Sequence, residues 1–272
     1  MNKRLLILIA AVLAVAGIVA LGFATSSPQR ARGEGGEATP ANNAIPRTPD
    51  GHPDFTGVYN VHGVENINDT LAPGSQIVHT AAGMERFKKV DQALDPNARC
   101  LPWGPTRMMC CTVMPDGIIQ HKDVIAVLTE SQQTFRLIYM DGRPAPGDLY
   151  DRDGLYDPQV GGWMGFSRGR WDGDKLVVET VGADPRTWID GHGGHQHSDK
   201  MKLTEVFEMK EPNKISYMAT IDDPVIYQKP WSFVKTFDRV PKGDRILSHS
   251  CVENEKDLAY MKPGAIVGGD QR

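Results

Sequence analysis

From Phe55 onward, apolar and polar residues alternate in short runs broken by Gly, Pro, Asp and Asn. A period of two with such punctuation predicts β-strands. The pattern places them at Phe55–His62, Ile118–His121, Val124–Glu130, Thr134–Met140, Trp163–Trp171, Asp174–Val181, Met201–Met209, Ile215–Asp222, Ser232–Val240 and Arg245–Val252. One stretch, Ala81–Ala93, reads as a helix and is ended by Asp95-Pro96. Asp172-Gly173, Glu211-Pro212-Asn213 and Lys242-Gly243-Asp244 are hairpin turn signals, the first being the strongest because such turns require positive φ. Hairpin after hairpin without intervening helices implies an all-β antiparallel meander with one short early helix, which folds as a sandwich or closes into a barrel; the barrel is preferred, because nearly every neighbour in sequence can be a neighbour in space.

The N-terminus has a different pattern. Lys3 and Arg4 precede an uncharged run, Leu5–Ala24, which predicts a secretory signal peptide or a membrane anchor within residues 1–25. Residues 26–45 are rich in Gly, Ala, Ser, Pro and Asn and read as a disordered linker. The barrel domain is then expected at 46–262 and a flexible tail at 263–272. A periplasmic or secreted location follows, with any membrane contact confined to residues 5–24. The formal net charge of −4 and the lack of a basic stripe exclude nucleic acid as an expected partner. With no phosphate loop, dinucleotide fingerprint or nucleophile motif, no cofactor is expected.

Four cysteines, Cys100, Cys110, Cys111 and Cys251, would meet an oxidising compartment and allow three full pairings. Adjacent cysteines rarely bond each other, so the preferred pair is Cys100 with Cys251, tying an early loop to the last strand. Buried free thiols are the alternative.

Ionisable residues on apolar strand faces supply the candidate site. Pairing Leu128 with Arg136 puts Glu130 and Arg136 diagonally on one face. The odd face of Met201–Met209 carries Glu205 among Met201, Leu203 and Phe207, facing Tyr217. A lone carboxyl there must find a partner, shift its pKa upward or line a wet cavity. Gly165, Ser167 and Gly169 oppose Thr180, Val178 and Leu176, which would leave room for a ligand. Glu205, His197 and Arg136 are therefore the candidate catalytic groups, and Glu130, Tyr217, Ser167 and Trp163 the candidate substrate contacts. The loop Trp188–Asp199 adds His192, His195 and His197 between Asp190 and Asp199. It offers either acid/base chemistry through His197 or, as an alternative, a metal site.

Several blocks resemble a large set of exported bacterial proteins without an assigned activity. They include Arg47-Thr48-Pro49-Asp50-Gly51-His52-Pro53-Asp54-Phe55-Thr56-Gly57, Arg99-Cys100-Leu101-Pro102, Trp163-Met164-Gly165, His197-Ser198-Asp199 and Lys229-Pro230-Trp231. Asp54–Tyr59 also resembles the first strand of lipocalin-like barrels. These features together suggest a barrel holding a small, largely apolar organic molecule in its lumen. Isomerase, dehydratase or cyclase chemistry is one extension of that reading, and a non-catalytic carrier is its rival.

Overall fold

The computed structural model describes residues 44–64, 66–147, 162–248 and 251. Expectations for the N-terminal signal or anchor, the linker up to residue 43 and the tail lie outside them.

Nine strands form one closed barrel in sequential order. They are β1 Gly57–Asn60, β2 Asp116–Gln120, β3 Val124–Thr129, β4 Phe135–Tyr139, β5 Phe166–Asp172, β6 Lys175–Val181, β7 Lys202–Glu211, β8 Lys214–Asp222 and β9 Trp231–Arg239. The expectation of an all-β barrel with a short early helix is met, with two changes to its topology. β4 and β5 run parallel rather than antiparallel, pairing Ile138 with Ser167. A parallel pair needs a long return connection, and residues 140–165 supply one. Among the described residues no partner strand follows β9; β9 pairs instead with β1, Tyr59 opposite Arg239 and Asn60 opposite Asp238, and this seam closes the barrel. Arg245–Ser248 carries no strand.

The predicted helix is shorter than its sequence pattern. α1 covers Ala81–Phe87, where the Thr80 hydroxyl caps the start by accepting from Gly83 N at 2.9 Å. Gly83 is required here, because a Cβ would lie 2.1 Å from the Ile226 carbonyl oxygen. The chain then leaves the α-helix, since the Asp91 carboxylate caps a separate 3-10 turn, Gln92–Leu94. A second short helix, α2, covers Pro105–Cys110.

Two hairpins shift from the simplest register. Between β3 and β4, Gln132 and Gln133 adopt positive φ and the Thr129 amide bonds to the Thr134 carbonyl. Arg136 consequently faces Val127, not Leu128. A one-residue slip moves a side chain to the opposite face, so Glu130 leaves the inner surface. Between β5 and β6 the two-residue turn is Gly173-Asp174, with Gly173 at φ +58°. Ser167 therefore lies opposite Thr180 and Gly169 opposite Val178.

The interior is built from inward positions of all nine strands. Phe207, Tyr217 and Phe237 pack at ring-centroid distances of 4.9 and 5.0 Å, and Phe55 joins Phe207 at 6.4 Å. The space expected beside Gly169 is taken by neighbours: a Cβ there would lie 2.4 Å from Met140 Sδ. Both disulfides are formed. Cys100–Cys251 matches the preferred pairing, although Cys251 lies past the strands. Cys110 and Cys111 bond each other, contrary to the expectation for adjacent cysteines.

Candidate functional site

Arg136 on β4 and Glu205 on β7 both point inward and are fully buried. Their side chains form a two-pronged ion pair: Arg136 Nη1 donates to Glu205 Oε1 at 2.9 Å and Nη2 donates to Oε2. Arg136 Nε donates to Ser167 Oγ at 2.9 Å, and Nη2 also reaches Thr180 Oγ1 at 2.6 Å. Tyr217 donates to Glu205 Oε1 at 2.8 Å from a diagonal position, because Ala219 occupies the place directly opposite Glu205. Burial pulls the Arg136 pKa down, but the Glu205 carboxylate outweighs it and the net shift is upward. Burial, reinforced by Glu205, lifts the Tyr217 phenol well above its usual range, so it stays protonated and donates. Every charge in the cluster thus has partners, which is the condition for tolerating ions in a low-dielectric interior.

Glu130, expected beside Arg136, is half-buried, and its Oε2 accepts from the Leu247 amide at 3.0 Å. Leu247 belongs to the C-terminal segment that was expected to form a strand.

The three loop histidines diverge. His192 is exposed, whereas His195 and His197 are buried. Among the described residues, no three His, Cys, Asp or Glu side chains converge to hold a metal ion. His195 Nδ1 lies 2.8 Å from Asp190 Oδ2, and Asp190 also accepts from the amides of His195 and Ile67, each at 2.9 Å. Gly193 permits this contact, since a Cβ there would sit 2.0 Å from Asp190 Oδ2. His197 Nδ1 donates to the Ser198 carbonyl at 2.8 Å, leaving Nε2 2.7 Å from Thr187 Oγ1. Thr187 Oγ1 is also 2.8 Å from the Asp184 carbonyl, and its single proton serves one of the two. Burial lowers the His197 pKa against the opposing pull of the Ser198 carbonyl, favouring the neutral ring. The hydrogen bonds of both histidines hold the loop together from within, His195 to Asp190 and His197 to Ser198 and Thr187.

That loop forms one wall of a cleft of about 480 Å³ outside the barrel interior. Trp188 and Gln196, paired across the loop, line it together with Pro185 and Arg186. The opposite side is residues 86–101, contributing Arg86, Lys89, Asp91, Leu94, Pro96, Arg99 and Leu101. Trp163 completes the lining, and the Arg186 guanidinium lies 4.3 Å from its ring. Arg86 donates to Gln196 Oε1 at 2.7 Å, and burial lowers its pKa. The wall is held from behind by the buried Arg107–Asp95 pair at 2.6 Å and by Cys100, which is bonded to Cys251.

Of the residues singled out in the sequence, Arg136, Glu205, Tyr217 and Ser167 meet in the interior cluster, His197 is buried within the loop, and Trp163 lines the cleft. Arg86, Lys89, Arg99, Arg186 and Trp188 were missed. They lie in segments without strand periodicity. The available signal was the density of Arg and Lys in residues 86–99 beside the Arg99-Cys100-Leu101-Pro102 block.

No protein-family model and no curated protein matches the chain, so the likeness to exported bacterial proteins rests on its sequence blocks alone. Among solved structures, the crystal structure of a point mutant of the fluorescent protein UnaG is similar at 14% identity and a TM-score of 0.28, over 69% of this chain and 97% of that one. A superposition that loose carries nothing about a ligand or a site.

Proposed function

We propose that this chain is an exported, disulfide-tied barrel that binds a small organic anion with an aromatic or aliphatic body. The observation carrying the reading is the composition of the 480 Å³ cleft: among the described lining residues Arg86, Lys89, Arg99 and Arg186 stand against Asp91, with Arg186 already paired to Asp184, beside two tryptophans. The volume lies within the range of about 300–1,000 Å³ common for small-molecule sites. Trp163 and Trp188 supply apolar area at little entropic cost, and guanidinium groups suit a carboxylate, sulfonate or phosphate. Two disulfides support export, because such bonds persist in oxidising compartments.

The interior cluster supports this placement of the ligand outside the lumen. Arg136 and Glu205 already satisfy one another, so neither is left to orient a guest. The test is titration with 1-anilinonaphthalene-8-sulfonate and with its uncharged parent, N-phenyl-1-naphthylamine. The affinity of the anion, and not that of the parent, is expected to depend on Arg99. Arg99→Glu should weaken it by about tenfold or more, since reversing one charge near the surface changes the Coulomb energy by about 2 kcal/mol at 4 Å in water. No response of the sulfonate to Arg99→Glu, or an equal loss for the uncharged parent, would overturn the proposal.

A further inference from the structure

The Arg47–Gly57 block contributes nothing to the cleft described above, yet it is ordered and folded across the barrel. Arg47 and Pro53 form an isolated bridge, and Thr48 bonds to His52 through both its amide, at 2.9 Å, and its hydroxyl, at 3.0 Å. Gly51 turns the chain at φ +89°. The resulting strap is pinned to the β5–β6 turn by a forked ion pair, Arg47 to Asp174, at 2.9 and 2.6 Å. His52 stacks on Trp171 with centroids 4.3 Å apart.

Between strap and strands lies a separate cavity of about 260 Å³. Ile125, Met140 and Trp171 give it apolar walls from the strand side, and Pro49 adds one from the strap. Gln120, the amide in the lining, is already engaged: Oε1 accepts from Phe55 N at 2.9 Å and Nε2 donates to the Pro53 carbonyl at 3.1 Å. At the rim Asp50 stands with Lys122, whose ammonium already pairs with Asp123 at 3.2 Å, and His121 lies beside them. The apolar strand-side walls, rather than either charge, dominate the cavity, and it offers few open hydrogen bonds.

We infer that this cavity is a second ligand site, independent of the anion cleft, for an uncharged aromatic molecule of about two fused rings, with the strap as its cover. Size follows from a reference case: an apolar protein cavity of about 150 Å³ holds one benzene, so one nearly twice as large suits a bicyclic. Met140 and Trp171 are the contacts expected for such a guest, since thioether sulfur and indole both favour aromatic neighbours. The strap's ion pair is exposed on both sides, which keeps it weak enough to open.

The probe is 2-naphthol at neutral pH, titrated calorimetrically into the purified full chain, with methyl-labelled methionine for nuclear Overhauser contacts. Saturable one-to-one binding is expected, with contacts to the Met140 methyl. Met140→Trp should reduce affinity at least tenfold by filling the space, while Arg99→Glu should leave it unchanged. The inference is overturned by absence of saturable binding, by absence of a Met140 contact in the unsubstituted protein, or by unaltered affinity in a folded Met140→Trp variant. Loss of 2-naphthol binding on Arg99→Glu would likewise overturn it, assigning the probe to the anion cleft. Failure of the anion cleft alone would leave the 2-naphthol results untouched.

Discussion

Replacing Glu205 by Gln keeps the shape of the interior cluster and removes its negative charge. Arg136 then remains fully buried with Ser167, Thr180 and a neutral amide as partners, and without a counter-ion. Removing one member of a buried ion pair costs about 3–5 kcal/mol. With a urea m-value of about 2–3 kcal/mol/M for a domain of this size, the unfolding midpoint should fall by about 1–2.5 M. The informative control is the double variant Arg136→Met/Glu205→Met. Replacing a whole buried pair with hydrocarbon is often neutral or stabilising, so the double should be more stable than Glu205→Gln by about 3 kcal/mol or more. Urea denaturation followed by tryptophan fluorescence and circular dichroism reads both. A loss below about 1 kcal/mol for Glu205→Gln, or a double variant as unstable as the single, would refute the view that charge pairing governs this cluster.

Tyr217→Phe should cost about 1.5–3 kcal/mol by the same urea assay, since it deletes one hydrogen bond to a charged acceptor without opening a cavity. His197 has a folded-state pKa below its unfolded value, so the unfolded chain binds the proton first. Its contribution to stability is complete above about pH 6.5 and falls by at most about 1.4 kcal/mol per pH unit below that, until the folded-state pKa is reached. His197→Gln should flatten the slope of urea midpoint against pH in that window. The Cys100–Cys251 bond spans 151 residues, and the chain-entropy relation gives about 5 kcal/mol for such a loop. Cys100→Ser/Cys251→Ser should lower stability by up to that amount and weaken the sulfonate probe, because Arg99 and Leu101 flank Cys100 in the cleft wall.

Inward and outward positions were largely legible in the sequence, because matching the apolar faces of β7 and β8 puts Glu205 and Tyr217 on the same side. Register was not legible. Gln132 and Gln133 adopt a conformation rare outside glycine, and this turned Glu130 away while keeping Arg136 inside. The partner of Arg136 lies 69 residues away, beyond any hairpin argument. The parallel β4–β5 pair was equally hidden, since period-two patterning carries no strand direction. Trp163 was the one cleft residue foreseen. The others come from the end of α1, capped turns and a loop, where local hydrogen bonds such as Ala93 N to Asp91, rather than hydrophobic periodicity, determine the path.

The β1–β9 seam has a consequence for assembly. The four-residue first strand completes its pairing only after the last strand, more than 170 residues later, has arrived. Loop-closure entropy makes such long-range joins slow. Until then the end of β9 at Asp238 and Arg239, the part that β1 covers, presents an unmatched edge, a template for pairing with another chain. The emerging polypeptide therefore passes through a sticky interval before closure, and a chaperone that shields strand edges would be most useful during that interval.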